Sequence, residues 1–260
     1  MKIELFNKIQ TCNKLSVPDF DIKNGVKLIH SLLAKDSLRG DLVEISTFNP
    51  DAAFAPCITF VSGVGNSYPY ASHSFTINKQ KKFFDGISMN VYNFYKSRGY
   101  GELMRLASII HMKENGVVKN NIEALSKAIP FHYKYGFRPD FANIEAIKNT
   151  SFADTSGADS PFNFIRGTLL YLTQNKGLSR SSVEQAYLLL DKLFVNKSLP
   201  KEDLARLDSL MIEYIEKHLD NWDKDLMIDD IPMSLSISKV QENAPFYNKL
   251  FEKHSIDYGV

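Results

Sequence analysis

The feature that most constrains the fold is a predicted strand, a turn with two glycines and a predicted helix, in direct succession over residues 83–116. FFDGISMNVYN (83–93) is short and rich in β-branched and aromatic residues, as strands are. Gly99 and Gly101 interrupt that pattern. ELMRLASIIHMKENG (102–116) then repeats apolar residues at helical spacing up to Gly116, a typical helix stop. This order of elements favours a mixed α/β fold.

The turn between this strand and helix has the chemistry of an anion site. Glycines let the backbone approach a ligand closely, and a helix start presents unsatisfied N–H groups with a partial positive charge. Lys96 and Arg98 add full charges beside them. The segment predicts a site for phosphate or pyrophosphate, although two glycines before a helix also fit a plain turn and cap.

Two common phosphate-binding motifs are excluded at this turn. A Walker loop ends in Gly-Lys-Ser/Thr, which the sequence does not contain. A dinucleotide fingerprint needs a third glycine, but Gly101 is followed by Glu102, Leu103 and Met104. The turn is therefore a different kind of anion site, or no site at all.

The rest of the N-terminal half supports the mixed class. GVKLIHSLLAKD predicts a helix over 25–36, because its apolar residues fall on one helical face. Short runs rich in β-branched and aromatic residues predict strands over 42–48, 57–63, 72–79 and 120–126, with a loop over 63–72. AIPFHYKYGF (128–137) predicts a short helix that Gly136 ends.

The C-terminal half is mostly helical by its pattern. Residues 149–163 are rich in Ser, Thr, Asp and Gly and predict a linker. Ser181 and Glu184 have capping-box spacing before one apolar stripe, and Pro200 opens a second helix. IPMSLSIS (231–238) alternates as a strand does, and a last helix is predicted over 241–254.

Composition narrows the classes of partner. The 31 basic and 30 acidic residues leave a net charge of +1, which disfavours bulk nucleic-acid binding. No apolar run approaches the roughly 20 residues that span a bilayer, and the polar N-terminus is a poor secretory signal. Cys12 and Cys57 form neither a disulfide framework nor a metal motif. We expect a cytoplasmic protein that uses no metal and no membrane.

Two segments together resemble the GNAT (Gcn5-related) N-acetyltransferases. VYNFYKSRGYGELMRL (91–106) is similar to their acetyl-CoA loop, Gln/Arg-x-x-Gly-x-Gly/Ala, with Lys96, Gly99 and Gly101 at the first, fourth and sixth positions. ALSKAIPFHYKYGFRP (124–139) is similar to their second motif, A-I-x-F-Y-x-x-x-G-F. The two motifs stand in the family's order and at its distance.

The resemblance implies a fold and a division of the chain. A GNAT-like fold has a mixed, mostly antiparallel sheet flanked by helices, here with a helical insertion or extension. Residues 1–148 would form the acetyl-CoA-binding domain and 149–228 the added helices. Residues 229–260 would supply a closing strand and a C-terminal helix.

The resemblance also implies which residues hold acetyl-CoA, the cosubstrate. Backbone groups of one strand end would bind the pantetheine arm as if it were another strand; they belong to Asn90, Val91 and Tyr92. Amides of the turn would hold the pyrophosphate; they belong to Lys96, Ser97, Arg98, Gly99, Tyr100, Gly101 and Glu102. The second motif adds Phe131, and Ser126 or Leu125 where the family has an Asn.

The catalytic assignments follow from the same likeness. His132 stands where the family commonly has the Tyr that protonates the departing thiolate, and Tyr133 lies about 100° further round the helix. Either is a candidate acid. Glu123, Asp85 and His73 are candidate bases, although water-mediated deprotonation needs no dedicated residue.

The implied function is transfer of an acetyl group from acetyl-CoA to an amine of a protein or small molecule. The alternatives are a catalytically weak GNAT-like binding module and an unrelated α/β protein with a chance Gly-x-Gly turn. The helices of 150–228 would wall the acceptor cleft, recruit a protein or make a homodimer. Trp222, Tyr214 and His218 are candidates to face an acceptor.

Overall fold

The computed structural model of the protein describes residues 5–6, 16–17, 20–21, 26–50, 56–66, 68–78, 80, 82–144, 154–157, 160–174, 177–222 and 230–260. The chain divides into two units, one of residues 1–120 with 236–260 and one of residues 121–235. The division predicted from sequence, at 148 and 228, stays a prediction.

The strands are β1 (Leu5–Phe6), β2 (Ser16–Val17), β3 (Phe20–Asp21), β4 (Val26–Lys35), β5 (Leu42–Pro50), β6 (Cys57–Gly63), β7 (Pro69–Asn78), β8 (Phe83–Val91), β9 (Lys119–Ala124), β10 (Arg138–Pro139) and β11 (Ile231–Ser236). The α-helices are α1 (Tyr100–Glu114), α2 (Ile129–Lys134), α3 (Pro161–Gln174), α4 (Arg180–Asn196), α5 (Lys201–His218), α6 (Ile237–Glu242) and α7 (Ala244–Lys253).

The first unit is built on an antiparallel sheet in the order β1-β4-β5-β6-β7-β8. Along β7 the side chains of Ala71, His73 and Phe75 are buried, while those between them are half-buried. This alternation indicates that one face of the sheet carries the core. Helix α1 covers that face over β6, β7 and β8, and α6 and α7 pack against α1.

β2 and β3 form a separate antiparallel pair in the first unit. The second unit holds most of β9 and β11, with β10, in the order β9-β11-β10, and β10 is antiparallel to β11. In α5 the predicted apolar stripe is buried at Leu204, Leu207, Met211 and Ile215. In α4 the predicted stripe is partly wrong, because Tyr187 and Phe194 are exposed while Leu189 and Leu193 are buried instead. The predicted class, a mixed fold with a mostly antiparallel sheet, is confirmed.

The predicted helix over 25–36 is wrong, because Val26–Lys35 is strand β4. Its pairing with β5 sets Leu32 opposite Ile45 and Ala34 opposite Val43, and these four side chains are buried. The apolar spacing fits either period, and pairing with a neighbouring strand decides between them. The other predicted strands are confirmed with changed bounds. β7 begins at Pro69, which shortens the predicted loop, and β8, β9 and β11 each end two residues earlier than predicted.

Two further details of the sequence pattern are corrected in the second unit. Helix α4 is capped by Ser179, whose Oγ accepts the N–H of Ser182 at 3.2 Å, so Ser181 is not its cap. Glu184 pairs instead with Arg180 across one exposed turn. The predicted linker ends early because α3 begins at Pro161, a residue suited to a first helical turn; residues 149–153 and 158–159 lie outside the described residues.

Candidate functional site

The turn before α1 has the backbone of an anion site. A short 3₁₀ helix (Asn93–Tyr95) follows β8, and Gly99 then caps α1 in the left-handed conformation, at φ 82°. The first bond of the helix runs from Leu103 N–H to the Gly99 carbonyl at 3.0 Å. The N–H groups of the turn before it, from Tyr100 to Glu102, therefore have no partner within the helix.

Position 99 requires glycine for two reasons, since there is no space for a side chain and the backbone is left-handed. A Cβ at this position would collide with Oγ of Ser37 and would lie 3.1 Å from Cε1 of His254. A left-handed φ is also costly for residues that carry a Cβ. The turn is therefore closely packed on one side by the β4–β5 turn and by the end of α7.

The two basic side chains of the turn, Arg98 and Lys96, differ in their ionic contacts and exposure. The Arg98 guanidinium lies 3.6 Å from the buried carboxylate of Asp36, whereas Lys96 is exposed. Burial opposes ionisation of Asp36, but N–H donors from Arg39, Leu38 and Gly40 outweigh it, and the pKa of this carboxyl is lowered. Lys96 is thus the predicted cation best placed to meet an anion from solvent.

Glu102 lies in the first turn of α1, where a carboxylate favours the helix but repels an anionic ligand. Its Oε1 is 2.6 Å from Nζ of Lys253 and 2.6 Å from Nε2 of His254. The other ring nitrogen of His254 lies 2.6 Å from the carbonyl oxygen of Lys35. Both ring nitrogens of His254 therefore face an acceptor oxygen. Glu102 is held between the Lys253 ammonium and this ring.

At the end of β8, one edge of the strand is paired with β7. Asn90 pairs with Ser72, and Val91 pairs with Ala71, in the ladder with β7. The backbone N–H of Tyr92 donates to the Tyr70 carbonyl at 3.1 Å. A pantetheine arm that binds β8 as a strand would have to use the opposite edge. At the start of β8, Val118 N–H donates to the Lys82 carbonyl at 2.9 Å.

Three stacked tyrosine rings pack at the two ends of the turn. Tyr70 stacks on Tyr95 with the ring centroids 4.3 Å apart, and on the buried ring of Tyr100 at 5.4 Å. Tyr95 and Tyr100 flank Lys96 to Gly99 in the chain, so this stack fixes both ends of the predicted loop.

The second motif forms the predicted short helix. Helix α2 begins beside Pro130, and Gly136 follows it in the left-handed conformation at φ 82°. His132 is 8% exposed, and its ring meets Phe131 and Phe137 edge-on, at 5.2 and 5.7 Å between centroids. This candidate acid therefore sits in an apolar setting that restricts its ring.

Tyr133, the other candidate acid, points to helix α5. Its hydroxyl donates to Oε1 of Glu216 at 2.6 Å, and the Arg138 guanidinium lies 3.8 Å from its ring centre. Burial and the bond to Glu216 raise the pKa of Tyr133 to about 12. A phenol this weak in acidity, already bound to a carboxylate, is poorly suited to donate a proton near neutral pH.

Ser126 lies just before α2, and its carbonyl accepts the indole N–H of Trp222 at 3.1 Å. Tyr214 packs edge-on to Trp222 at 6.1 Å and stacks on His218 at 4.3 Å. Sequence reasoning singled out these three rings for an acceptor, which stays a prediction. It missed the contacts from Glu216 and Trp222 to the second motif, because no local pattern marks them.

The candidate bases lie in different settings. His73 is 2% exposed, with Nδ1 3.3 Å from Oγ of Ser108 and its ring beside Phe75 and Phe84. Burial, then the charges of Arg105 and His111, hold its pKa well below the ordinary value. Asp85 and Glu123 are half-buried on β8 and β9. The choice of base stays a prediction.

The predicted site residues fall into two groups. Asn90 to Glu102 belong to the first unit, and Glu123, Ser126, Phe131, His132 and Tyr133 belong to the second. Across the described ranges, no three His, Cys, Asp or Glu side chains come close enough to hold a metal ion. None of the described helices is long and apolar enough to cross a membrane.

Comparison with known proteins gives structural matches only. No protein-family model and no curated protein matches the chain. Solved structures that match include the ribosomal-protein-S18-alanine N-acetyltransferase from Escherichia coli, at 15% identity and a TM-score of 0.31. A nourseothricin acetyltransferase matches at 12% and 0.30. A putative streptothricin acetyltransferase from Bacillus anthracis str. Ames, solved with acetyl coenzyme A, matches at 14% and 0.32.

The matches are partial. They cover 34%, 45% and 57% of this chain, and 57%, 75% and 94% of the three enzymes in the same order. All three are acetyltransferases, the class that the two motifs resemble. TM-scores near 0.3 are too low to align individual residues of the chain with those of the three enzymes.

Proposed function

We propose that the chain is an acetyl-CoA-dependent N-acetyltransferase that acts in the cytoplasm on an amine of a protein or small molecule. One observation supports this most directly. The motif turn from Lys96 to Glu102 leaves the first N–H groups of α1 without helical partners, behind a left-handed Gly99. This arrangement suits the pyrophosphate of coenzyme A.

Binding would use backbone more than side chains. The amides of Tyr100, Gly101 and Glu102 would hold the pyrophosphate, with Lys96 as the exposed cation beside it. Pairing with Lys253 and His254 removes the repulsion that the Glu102 carboxylate would otherwise exert. The edge of β8 opposite β7, near Asn90 to Tyr92, would take the pantetheine arm as an added strand.

The chemistry would be direct acyl transfer. The neutral amine attacks the thioester carbonyl, the new C–N bond forms and the C–S bond breaks. The proton lost by the amine leaves through water or through Glu123, and His132 gives a proton to the departing thiolate. His132 is preferred to Tyr133 as the acid because the Tyr133 hydroxyl already serves Glu216.

The binding step is tested with acetyl-CoA and isothermal titration. Gly99→Asp with Gly101→Asp should abolish binding, because two carboxylates would occupy the anion turn. Since Gly99→Asp also strains the backbone, Lys96→Glu is the gentler variant, and we expect it to weaken binding about tenfold. Lys201→Glu, an equal charge reversal at the exposed start of α5, is the matched control. Unchanged affinity in both turn variants would refute the placement.

The catalytic step is tested separately by following thiol release with a panel of amines. Turnover by the wild type with at least one amine is expected. Tight binding of acetyl-CoA without turnover over the whole panel would favour a binding module. Absence of binding would favour an unrelated α/β protein.

A further inference from the structure

We propose that Glu216, with Trp222, is a positioning residue that fixes helix α2 and thereby the ring of His132. The proposal deepens the proposed function and rests on it, because it takes His132 as the acid. It gives the end of α5 a role in the reaction, although that helix carries no motif of the family.

Helix α2 depends on its surroundings for its orientation. It spans only Ile129–Lys134, and its N-cap, Ala128, has no side chain that can cap it. Isolated helices shorter than about 12 residues are marginal in water. The direction in which His132 points must therefore be set by contacts that other elements make with α2 and its flanks.

The first contact comes from Glu216. A phenol donating to a carboxylate at 2.6 Å is a charge-assisted hydrogen bond, which is stronger than a neutral one. Tyr133 is 7% exposed, and Arg138 packs on its ring and donates to its backbone carbonyl at 2.9 Å. Tyr133 and His132 share a peptide bond, so any shift of the Tyr133 backbone also moves His132.

The second contact comes from Trp222, which follows α5 after a single 3₁₀ turn, Leu219–Asn221. Its indole donates to the Ser126 carbonyl, at the start of the turn that leads into α2. Glu216 and Trp222 therefore hold the motif segment on either side of Ile129. Together they restrict both the position and the rotation of α2.

Helix α5 is well placed to act as a fixed support. Leu207, Met211 and Ile215 bury one of its faces. Its Asp208 accepts the backbone N–H of Phe141, just after β10, at 2.8 Å. Asp208 and Glu216 are eight residues apart, which is about 12 Å along a helix. Helix α5 and the turn that follows it thus contact the chain before, within and after α2.

The test compares Glu216→Ala, which removes the acceptor, with Glu216→Gln, which keeps an oxygen for the Tyr133 hydroxyl. Glu216→Ala should lower kcat about tenfold and change the shape of its pH profile, while the Kd for acetyl-CoA stays within twofold. Glu216→Gln should recover most of kcat. Tyr133→Phe should lower kcat by a similar factor, and the double variant should be no worse than either single one.

The matched control is Glu213→Ala. Glu213 lies one turn earlier on α5 and binds Ser179, Ser182 and Lys217, away from the second motif. It should lower the melting temperature but leave kcat per folded molecule unchanged. Equal losses of kcat in Glu213→Ala and Glu216→Ala would overturn the proposal, as would a wild-type rate and pH profile in Glu216→Ala.

A readout that needs no turnover separates this proposal from the proposed function. Glu216→Ala should move the NMR signals of the His132 ring, and Glu213→Ala should leave them in place. Unmoved signals would refute the positioning role even if the wild type is an active enzyme. Moved signals in a protein that turns over no amine would place the failure in the proposed function.

Discussion

The two motif segments are held in place in different ways. The anion turn of the first unit is surrounded by charges, since Arg98 faces Asp36, and Glu102 is bound by Lys253 and His254. Helix α2 of the second unit is packed against aromatic rings, and its Tyr133 donates a hydrogen bond to the Glu216 carboxylate.

This difference matches what each segment is proposed to do. A turn that binds an anion has to keep its backbone N–H groups available to that anion. Its own carboxylate, Glu102, is accordingly bound by Lys253 and His254. A helix that delivers one proton has to hold one ring in one orientation, which packing against rings achieves. Variants of the first segment should therefore change binding, and variants of the second should change rate.

The largest expected effect is on His132. His132→Phe keeps an aromatic ring in the apolar setting and removes the proton donor, so kcat should fall about 100-fold or more. The Kd for acetyl-CoA should stay within twofold, because the ring lies in the segment proposed for rate. Steady-state kinetics with isothermal titration check this. An unaltered rate across the pH range would remove His132 from the reaction.

The next largest effect is expected from His254, which contacts the anion turn of the first unit. His254→Ala removes one of the groups that bind the buried Glu102 carboxylate, and should cost about 3 kcal/mol of unfolding free energy. It should also weaken acetyl-CoA binding, since the carboxylate is less compensated beside the anion turn. Adding Glu102→Gln should restore binding. If the double variant binds no better than His254→Ala, the electrostatic account of this turn fails.

A smaller effect concerns Tyr133 at alkaline pH. A pKa raised from about 10 to about 12 means that the folded protein holds this proton more tightly than the unfolded chain. The resulting stability is present below pH 10 and is lost as the pH rises to about 12, and it is at most about 3 kcal/mol. Denaturant unfolding of wild type and Tyr133→Phe should converge over that window. A constant difference up to pH 12 would contradict it.

What the sequence predicts well is what local pattern determines. Cys57–Gly63 is a strand in the structure over the same residues as in the prediction, because a short β-rich run ends at a turn. Gly99 and Gly136 both have positive φ, as a glycine before or after a helix often does. The two motif segments were found because each is contiguous.

What the sequence does not predict depends on contacts between distant residues. The bonds of Tyr133 to Glu216, Trp222 to Ser126 and His254 to Glu102 join residues that are 83, 96 and 152 positions apart. The sequence predicts a helix where β4 lies for the same reason, since pairing with the distant strand β5 determines its structure. The residues that hold a site in place are thus harder to predict than the residues that form it.

The smallest expected effect tests whether Asp36 only pairs with Arg98 or also holds the shape of the anion turn. The pKa of Asp36 is lower in the folded protein than its ordinary value of 3.8. The carboxylate therefore adds to the free energy of unfolding above pH 3.8, and this contribution is lost as the pH falls through the lowered pKa. Asp36→Asn should therefore flatten the acid end of the stability profile, which thermal unfolding between pH 2 and pH 5 would measure. Because Arg98 then loses the negative charge of Asp36 while it keeps its contact with Tyr100, its guanidinium attracts an anion more strongly, and acetyl-CoA affinity at pH 7 should be kept or slightly raised. A loss of affinity would mean instead that Asp36 supports the shape of the turn, which would make the first segment as dependent on positioning as the second.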